Sequence, residues 1–472
     1  MLRASLSCCV GLAALTVSSF DAAAQSRNAS LMSRFDPPGR TFNDVWGYVS
    51  PTGKEYALLG ATVGTYVVDC SDPSNPIERG FFPGPNSTWR DIRTYREYAY
   101  VVTEGGGGAQ IIDLSDPDNP VLVQTWGASI FRNAHNVALD TQTGTLYPCG
   151  TSAGVVIADL SADPANPTLI TTWSNSYVHD LHVQDGYAHL GEISNSRYEI
   201  LDVSDLSSIQ GLGTTRVSSA HNVWPTRDNT LAVVTSESFN PGVTIVDITN
   251  KRLPNNVGNY RTGGSGASAH NAFIRDRVMH VSYYSEGYRA VDLTNASNPV
   301  EVGYYDTTSA TSGFSGAWGC YPFQPSGAIY ASDFQNGLLV ISSKAAGCLF
   351  GDGTAGAGGE APEVHTYGSG WVGNSRFAVQ IEGAAPSAQV ALVLGTAQGS
   401  ASVLGTEVLV DLAQPFALLS GQTDAFGNAT FAMPLSDGSP IGTVYAQFFV
   451  RDAQGPNGLA ASRGMKFDTF AL

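Results

Sequence analysis

The sequence predicts an all-β protein, a seven-bladed β-propeller followed by a small C-terminal β-sandwich, and three observations carry that prediction. Its 472 residues are 43% hydrophobic, only 14% charged and include 52 Gly. Helix surfaces usually carry more Lys and Glu, so this composition suits strands joined by tight turns. A unit of Gly, a short apolar run, Asp and a Pro-rich turn recurs seven times, at a spacing of ~45 residues that matches one four-stranded propeller blade. Past the repeats, short apolar runs split by Gly and Pro continue to the C-terminus.

The N-terminus reads as a secretory signal, residues 1–24, with one positive charge at Arg3, an apolar stretch from Leu6 to Val17, and Ala22-Ala23-Ala24 before a cleavage after Ala24. The apolar stretch is shorter than the ~20 residues of a bilayer span, so no transmembrane span is expected after cleavage. The expected location is secreted, periplasmic or at the cell surface. Cys70, Cys149, Cys320 and Cys348 then lie in an oxidising compartment. Cys320 with Cys348 is the expected disulfide, with free buried cysteines as the alternative. Acidic residues outnumber basic ones by 41 to 24, giving a net charge of -17. That sign repels phosphate backbones, which argues against nucleic acid as a partner.

The propeller is assigned to residues 25–349. The clearest units are GTYVVDCSDPSNP from Gly64, GAQIIDLSDPDNP from Gly108 and GVVIADLSADPANP from Gly154, followed by degenerate copies from Tyr198, Gly242, Gly287 and Gly337. In the third copy, Asn136 to Leu139, Thr145 to Gly150, Val155 to Leu160 and Thr168 to Trp173 read as strands from innermost to outermost. The carboxylates at Asp113, Asp116 and Asp118 resemble a calcium loop in density. The prolines, and the missing Gly and terminal Glu, favour a turn built on Asp and Asn side chains. The last copy lacks an outer strand, and residues 29 to 35, which resemble Asn119 to Trp126, are expected to supply it and protect the sheet edge. Residues 350–363 are Gly-rich and read as a flexible linker. Residues 364–472 carry several short strands and read as an accessory or sorting β-sandwich without clustered chemistry.

The copies also align where each innermost strand begins. They read Asn43-Asp44, Arg90-Asp91, His135-Asn136, His179-Asp180, His221-Asn222, His270-Asn271 and Trp318-Gly319. These positions should gather at one mouth of the central channel. The loop after each second strand returns to the same end and contributes Glu104, Glu192, Glu237, Glu286 and Asp333. Imidazoles with carboxylates around them suit one divalent transition metal, with His135, His179, His221 and His270 as nitrogen donors and Glu104, Glu192, Glu237 and Glu286 coordinating or supporting them. The alternative is structural, each His bonding a neighbouring loop and holding adjacent blades in register. His182 and His189 fall on strands and read as core or channel-wall residues. Ser219, Ser268 and Thr88 lie near these loops, but no Gly-x-Ser-x-Gly elbow is present. The run Gly105 to Gly108 lacks the Lys and Ser or Thr of a phosphate loop and reads as a tight turn.

Several blocks in order, Asn43-Asp44-Val45-Trp46-Gly47-Tyr48, Glu55 to Gly60, Trp89-Arg90-Asp91-Ile92 and Gly316-Ala317-Trp318 through Tyr321-Pro322-Phe323, together with LVIVD-like units, resemble the choice-of-anchor B family of secreted bacterial propellers over about residues 28 to 349. The resemblance implies an extracellular or cell-surface role with no established enzymatic activity. The C-terminal segment, with Asp424-Ala425-Phe426-Gly427, Tyr445-Ala446-Gln447 and Gly455-Pro456-Asn457-Gly458, is similar to a domain appended to many secreted planctomycete proteins, which implies sorting or surface association.

The function expected from this reading is a binding scaffold recognising an extracellular protein or glycan at the channel mouth, with Arg90, Asp91, Trp318 and Tyr284 as ligand contacts. Tyr283, Tyr284, Tyr288 and Phe314 read as exposed loop aromatics suited to stacking, with packing within the blades as the alternative for each. The alternative is a metal-dependent extracellular hydrolase or oxidoreductase using the His and Glu ring.

Overall fold

The computed structural model describes residues 25–263, 266–356 and 358–472; the expected signal segment, residues 1–24, lies outside the described residues. Among them the regular secondary structure is strand, apart from two single-turn 3₁₀ helices at Ile193–Asn195 and Pro456–Gly458. Each sequence repeat forms one antiparallel sheet whose strands follow chain order. The third repeat illustrates it, with Asn136–Asp140, Thr145–Cys149, Val155–Asp159 and Thr168–Trp173 paired in sequence. The first strands of the other repeats are Phe42–Val49, Arg90–Tyr95, Asp180–Gln184, Ala220–Pro225, Asn271–Arg275 and Ala317–Tyr321.

Middle strands are apolar on both faces because a neighbouring sheet covers each face. Glu55–Ala61 and Gly64–Asp69 are buried throughout, whereas the outer strand Val121–Trp126 is largely exposed. A continuous apolar run therefore marks a middle strand, and a polar-studded one an edge. The Asp-Pro-x-Asn-Pro segments are turns. Asp72, Asp116 and Asp163 accept from the backbone N–H two residues on, at 3.0, 3.3 and 3.0 Å. Asp118 is occupied by the Lys54 ammonium at 2.7 Å and the Tyr56 hydroxyl at 2.9 Å.

Ala29–Phe35 lies on the outside of Gly337–Ser343, so the seventh sheet joins the start of the chain to the last repeat. Ser26–Arg27 adds a fifth strand to the sixth sheet by pairing with Val300–Tyr305. Both pairings cover backbone edges that would otherwise be open.

The first strands lie beside one another from repeat to repeat, and the seventh lies beside the first. They enclose a common axis, since side chains of non-adjacent repeats meet there. Trp46 of the first repeat lies 6.3 Å from Trp224 of the fifth and 5.8 Å from Phe273 of the sixth, and Trp224 lies 5.5 Å from Phe323 of the seventh. This aromatic plug fills one end of the axis, with the Arg93 guanidinium 4.1 Å over Trp46 and His182 3.8 Å from Trp224. His189 is buried within the fourth sheet, its Nδ1 2.6 Å from the Tyr198 hydroxyl.

The C-terminal region forms a seven-stranded sheet, a three-stranded sheet and a two-stranded hairpin. Val364, Val379 and Ile381 of one sheet share a core with Leu392, Phe448 and Phe467 of another. Against the repeats, Asp292 accepts from the Ser369 N–H at 2.8 Å and the Asn374 amide at 3.1 Å, and Arg376 donates to the Thr294 carbonyl at 2.8 Å. The first residues of the Gly-rich segment are tied to the C-terminal sheet. Cys348–Phe350 already pairs with Gly464–Phe470 in the C-terminal sheet. Thr354 and Ala461 exchange backbone hydrogen bonds at 2.8 and 3.0 Å, and Arg463 donates to the Gly351 carbonyl at 2.9 Å. The Cys320–Cys348 bridge is not formed, and all four described cysteines are free. Cys320 sits on the first strand of the seventh repeat with its thiol 3.4 Å from the His280 carbonyl, while Cys348 belongs to the C-terminal sheet.

Candidate functional site

Opposite the aromatic plug, the first strands of all repeats but the second open with a doubled position. His221 and Asn222 face the single residue Thr235, between the pairs Ala220↔Ser236 and Val223↔Val234. His135 and Asn136 both bond or pair with Cys149, His179 and Asp180 with Gly191, and His270 and Asn271 with Ser282. A bulge of this kind re-aims two consecutive side chains that would otherwise point to opposite faces. At Gly191 the close approach demands glycine, because a Cβ there would lie 2.3 Å from the His221 carbonyl oxygen.

The four imidazoles form an arc of mutually tilted rings, with interplanar angles of 52, 47 and 48°. Ring centroids are 4.0 Å apart for His135 and His179, 4.2 Å for His179 and His221, and 4.5 Å for His221 and His270. Trp318 continues the arc 4.5 Å beyond His270, and Trp89 flanks His135 at 6.3 Å. The Nδ1 of His221 lies 3.1 Å from the His270 carbonyl, and that of His270 lies 2.6 Å from the Trp318 carbonyl. These bonds fix Nδ1 as the protonated nitrogen and leave each Nε2 with a free lone pair. The Nε2 of His221 is buried without a hydrogen-bond partner. Burial, reinforced by the neighbouring imidazoles, holds His179 and His221 well below the usual histidine range, and burial lowers His270 too. They are neutral at physiological pH.

The carboxylates divide. Glu237 faces the arc, 3.6 Å from His221 Nε2 and 3.9 Å from His270 Nε2, and accepts from the Tyr284 hydroxyl at 2.6 Å. Glu104 meets His135 Nδ1 at 2.6 Å. The other two expected carboxylate ligands are spent elsewhere. Glu192 is held by Arg197 at 2.5 and 2.8 Å, by Asn195 at 3.0 Å and by Ser176. Burial opposes its ionisation, but these bonds outweigh it and keep the carboxyl below its usual range. Glu286 pairs with Arg289 at 3.0 Å. Asp333 accepts the N–H groups of Gln335 and Asn336, both at 2.9 Å, and closes its own turn. The two groupings with metal-ligand spacing among the described residues are His135, His179 and His221, and His221, Glu237 and His270.

A second layer of side chains comes from the positions that follow. Asp91 accepts from Arg93 at 3.0 Å and from the Val137 N–H at 2.8 Å, and Asp180 accepts from the Asn222 amide at 2.7 Å. Burial, and then the neighbouring Asp91, raise the Asp44 carboxyl well above its usual range. Between the layers lies a cavity of about 20 Å³ lined by Asp44, Asp91, His135, His221, His270 and Trp318 among others. That is room for one water or ion and for no organic substrate. Ser268 Oγ donates to the carbonyls of Ser236 and Ala269, at 3.2 and 3.3 Å, so it is not engaged with an imidazole.

The expected ligand contacts need correction. Arg90 is buried, its guanidinium donating to the Ala61 and Pro85 carbonyls at 3.0 and 2.7 Å, and Asp91 is spent on Arg93 and Val137 as above. Tyr283, Tyr284, Tyr288 and Trp318 are all buried. Tyr288 hydrogen-bonds His280 Nδ1 at 2.7 Å inside the sixth sheet. Of the four loop aromatics only Phe314 is exposed, at 48%. Sequence reasoning missed its companions Trp89, Tyr177 and Phe239, exposed by 42, 43 and 63%. Phe314 lies 5.1 Å from Phe239 and 5.1 Å from Tyr284, and Tyr177 lies 6.5 Å from His179. The signal was position, since Trp89 immediately precedes the first strand Arg90–Tyr95 and Tyr177 stands two residues before His179.

Four segments, residues 56–82, 88–126, 238–262 and 285–307, match the LVIVD repeat. Among solved structures the chain is similar to "Crystal structure of RRP9 WD40 repeats", with a TM-score of 0.51 at 9% identity over 68% of this chain and 99% of that chain. It is also similar to "Structure of U3-55K", with a TM-score of 0.50 at 8% identity over 67% and 98% of the two chains. No curated protein matches the sequence. At such identities the likeness speaks for fold alone. The chain carries LVIVD repeats on a repeat-based β-propeller scaffold.

Proposed function

We propose that the repeat sheets are the seven blades of one closed propeller, that the C-terminal sheets form an accessory β-sandwich, and that the chain is an exported or cell-surface scaffold binding a neutral glycan at the His-rich mouth. The supporting observation is the rim, where Trp89, Tyr177, Phe239 and Phe314 expose rings around buried polar groups. Flat aromatic faces stack on the apolar faces of sugar rings, while carboxylates such as Glu104 and Glu237 accept from hydroxyls. A net charge of -17 disfavours polyanionic chains. The resemblance to choice-of-anchor B propellers and to appended planctomycete domains supports the extracellular setting. Among the described residues no helix is long and apolar enough to cross a membrane.

The test is a glycan array probed with residues 25–472 and with a Trp89→Ala, Phe239→Ala, Phe314→Ala variant. The reading expects glycan hits that the variant loses while its melting temperature is unchanged. Binding to protein baits alone, or hits indifferent to the variant, would refute it.

A further inference from the structure

We propose that His221 Nε2, His270 Nε2 and the Glu237 carboxylate hold one divalent transition-metal ion at the mouth of the axis. The donor atoms stand within 4.8 Å of one another, with the carboxylate 3.6 and 3.9 Å from the two nitrogens. Tetrahedral ligands at ~2.0–2.2 Å from a common ion lie ~3.3–3.6 Å apart, so the carboxylate already stands within a few tenths of an ångström of that spacing from each nitrogen. That side chain comes from the loop after a second strand and is partly exposed, whereas both imidazoles are locked.

The locking is the stronger argument. Each Nδ1–H is committed to a backbone carbonyl of the next repeat, His270 for His221 and Trp318 for His270. The Nε2 lone pairs are thereby aimed without rotational freedom, the arrangement in which metal-ligating histidines are usually held. His221 Nε2 is buried and has no hydrogen-bond partner. A buried acceptor left unsatisfied is costly, and an ion resolves that cost where the carboxylate alone, at 3.6 Å, does not. Tyr284, donating to Glu237 at 2.6 Å, orients the carboxylate from behind. Two imidazoles and one carboxylate select zinc, cobalt or nickel over calcium or magnesium, which take oxygen donors. The Nδ1 clasp and the Nε2 site are compatible, so one residue type serves both blade register and binding.

The inference stands apart from the glycan reading because metal binding can be measured with no partner present. Chelator-treated full-length mature chain is titrated with Co²⁺ by calorimetry and visible absorption, with Mg²⁺ as the control. The expected result is one Co²⁺ per chain, visible ligand-field bands, displacement by Zn²⁺, and no response to Mg²⁺. Glu237→Gln, which keeps a group for Tyr284 to bond, should weaken Co²⁺ binding by on the order of 100-fold, and Tyr284→Phe by about tenfold. His270→Gln should abolish it; if that variant does not fold, Glu237→Gln decides. No Co²⁺ or Zn²⁺ binding by the folded wild type, or wild-type affinity in Glu237→Gln, would overturn the site.

Discussion

Replacing Phe273 by Ala tests whether the first strands share one axis. Phe273 is 1% exposed on the sixth repeat, and its ring meets Trp46 of the first repeat at 5.8 Å, Trp224 of the fifth at 4.9 Å and Phe323 of the seventh at 6.2 Å. Truncating a buried Phe costs about 3–5 kcal/mol through lost transfer energy and the cavity left behind. Three aromatic partners hold that cavity open, which places the expected cost in the upper half, about 4–5 kcal/mol. For a domain larger than 250 residues each kcal/mol shifts Tm by about 2 °C, giving a fall of roughly 8–10 °C by scanning calorimetry. Val123→Ala, on an outer strand and 44% exposed, should stay within about 0.5 kcal/mol of wild type. A Phe273→Ala shift no larger than that of Val123→Ala would mean that the rings do not converge, and the axial account would fail.

Two further outcomes follow from the same geometry. Removing residues 25–35 strips the outer strand from Gly337–Ser343, whose register runs from Ala29↔Ser343 to Phe35↔Leu338. With each lost hydrogen bond worth about 1 kcal/mol, the penalty is on the order of 5 kcal/mol, visible as a lower Tm and as self-association through the bared edge in size-exclusion chromatography. His280 is buried against Tyr288, and desolvation pushes its pKa down to about 3. The folded state therefore refuses a proton that the unfolded state takes below about pH 6.5. Its stability contribution is complete above that pH and falls by about 1.4 kcal/mol per unit as pH drops toward 3. Urea titrations of wild type and His280→Phe should show the variant gaining by that slope over this window, and parallel pH profiles would refute the assignment.

The repeats were legible because a four-stranded sheet buried on both faces leaves a periodic trace. Apolar middle strands are punctuated by Gly and by Asp-Pro turns, and in the third repeat the strand from Thr168 to Trp173 matches the structure at both ends. Side-chain direction was less legible. Alternation would send His221 and Asn222 to opposite faces, and only the bulge opposite Thr235 turns both toward useful partners. Glu192 looked equivalent to Glu237, yet Arg197, five residues on, captures it across its own hairpin. Tyr283, Tyr284 and Tyr288 carried the composition of an exposed loop, but they pack beneath Phe314 and within the sixth sheet. The Cys320–Cys348 pairing failed because sequence nearness does not reveal that Cys348 has left the repeat for the C-terminal sheet.

The most direct test of the claim that the histidine arc is a binding site is anomalous diffraction at the zinc edge from crystals of residues 25–472 grown with Zn²⁺. The account predicts one dominant peak ~2.0–2.2 Å from His221 Nε2, His270 Nε2 and a Glu237 oxygen. A map with no peak there, or with zinc only at surface carboxylates such as Asp116, would return the histidines to a purely structural role.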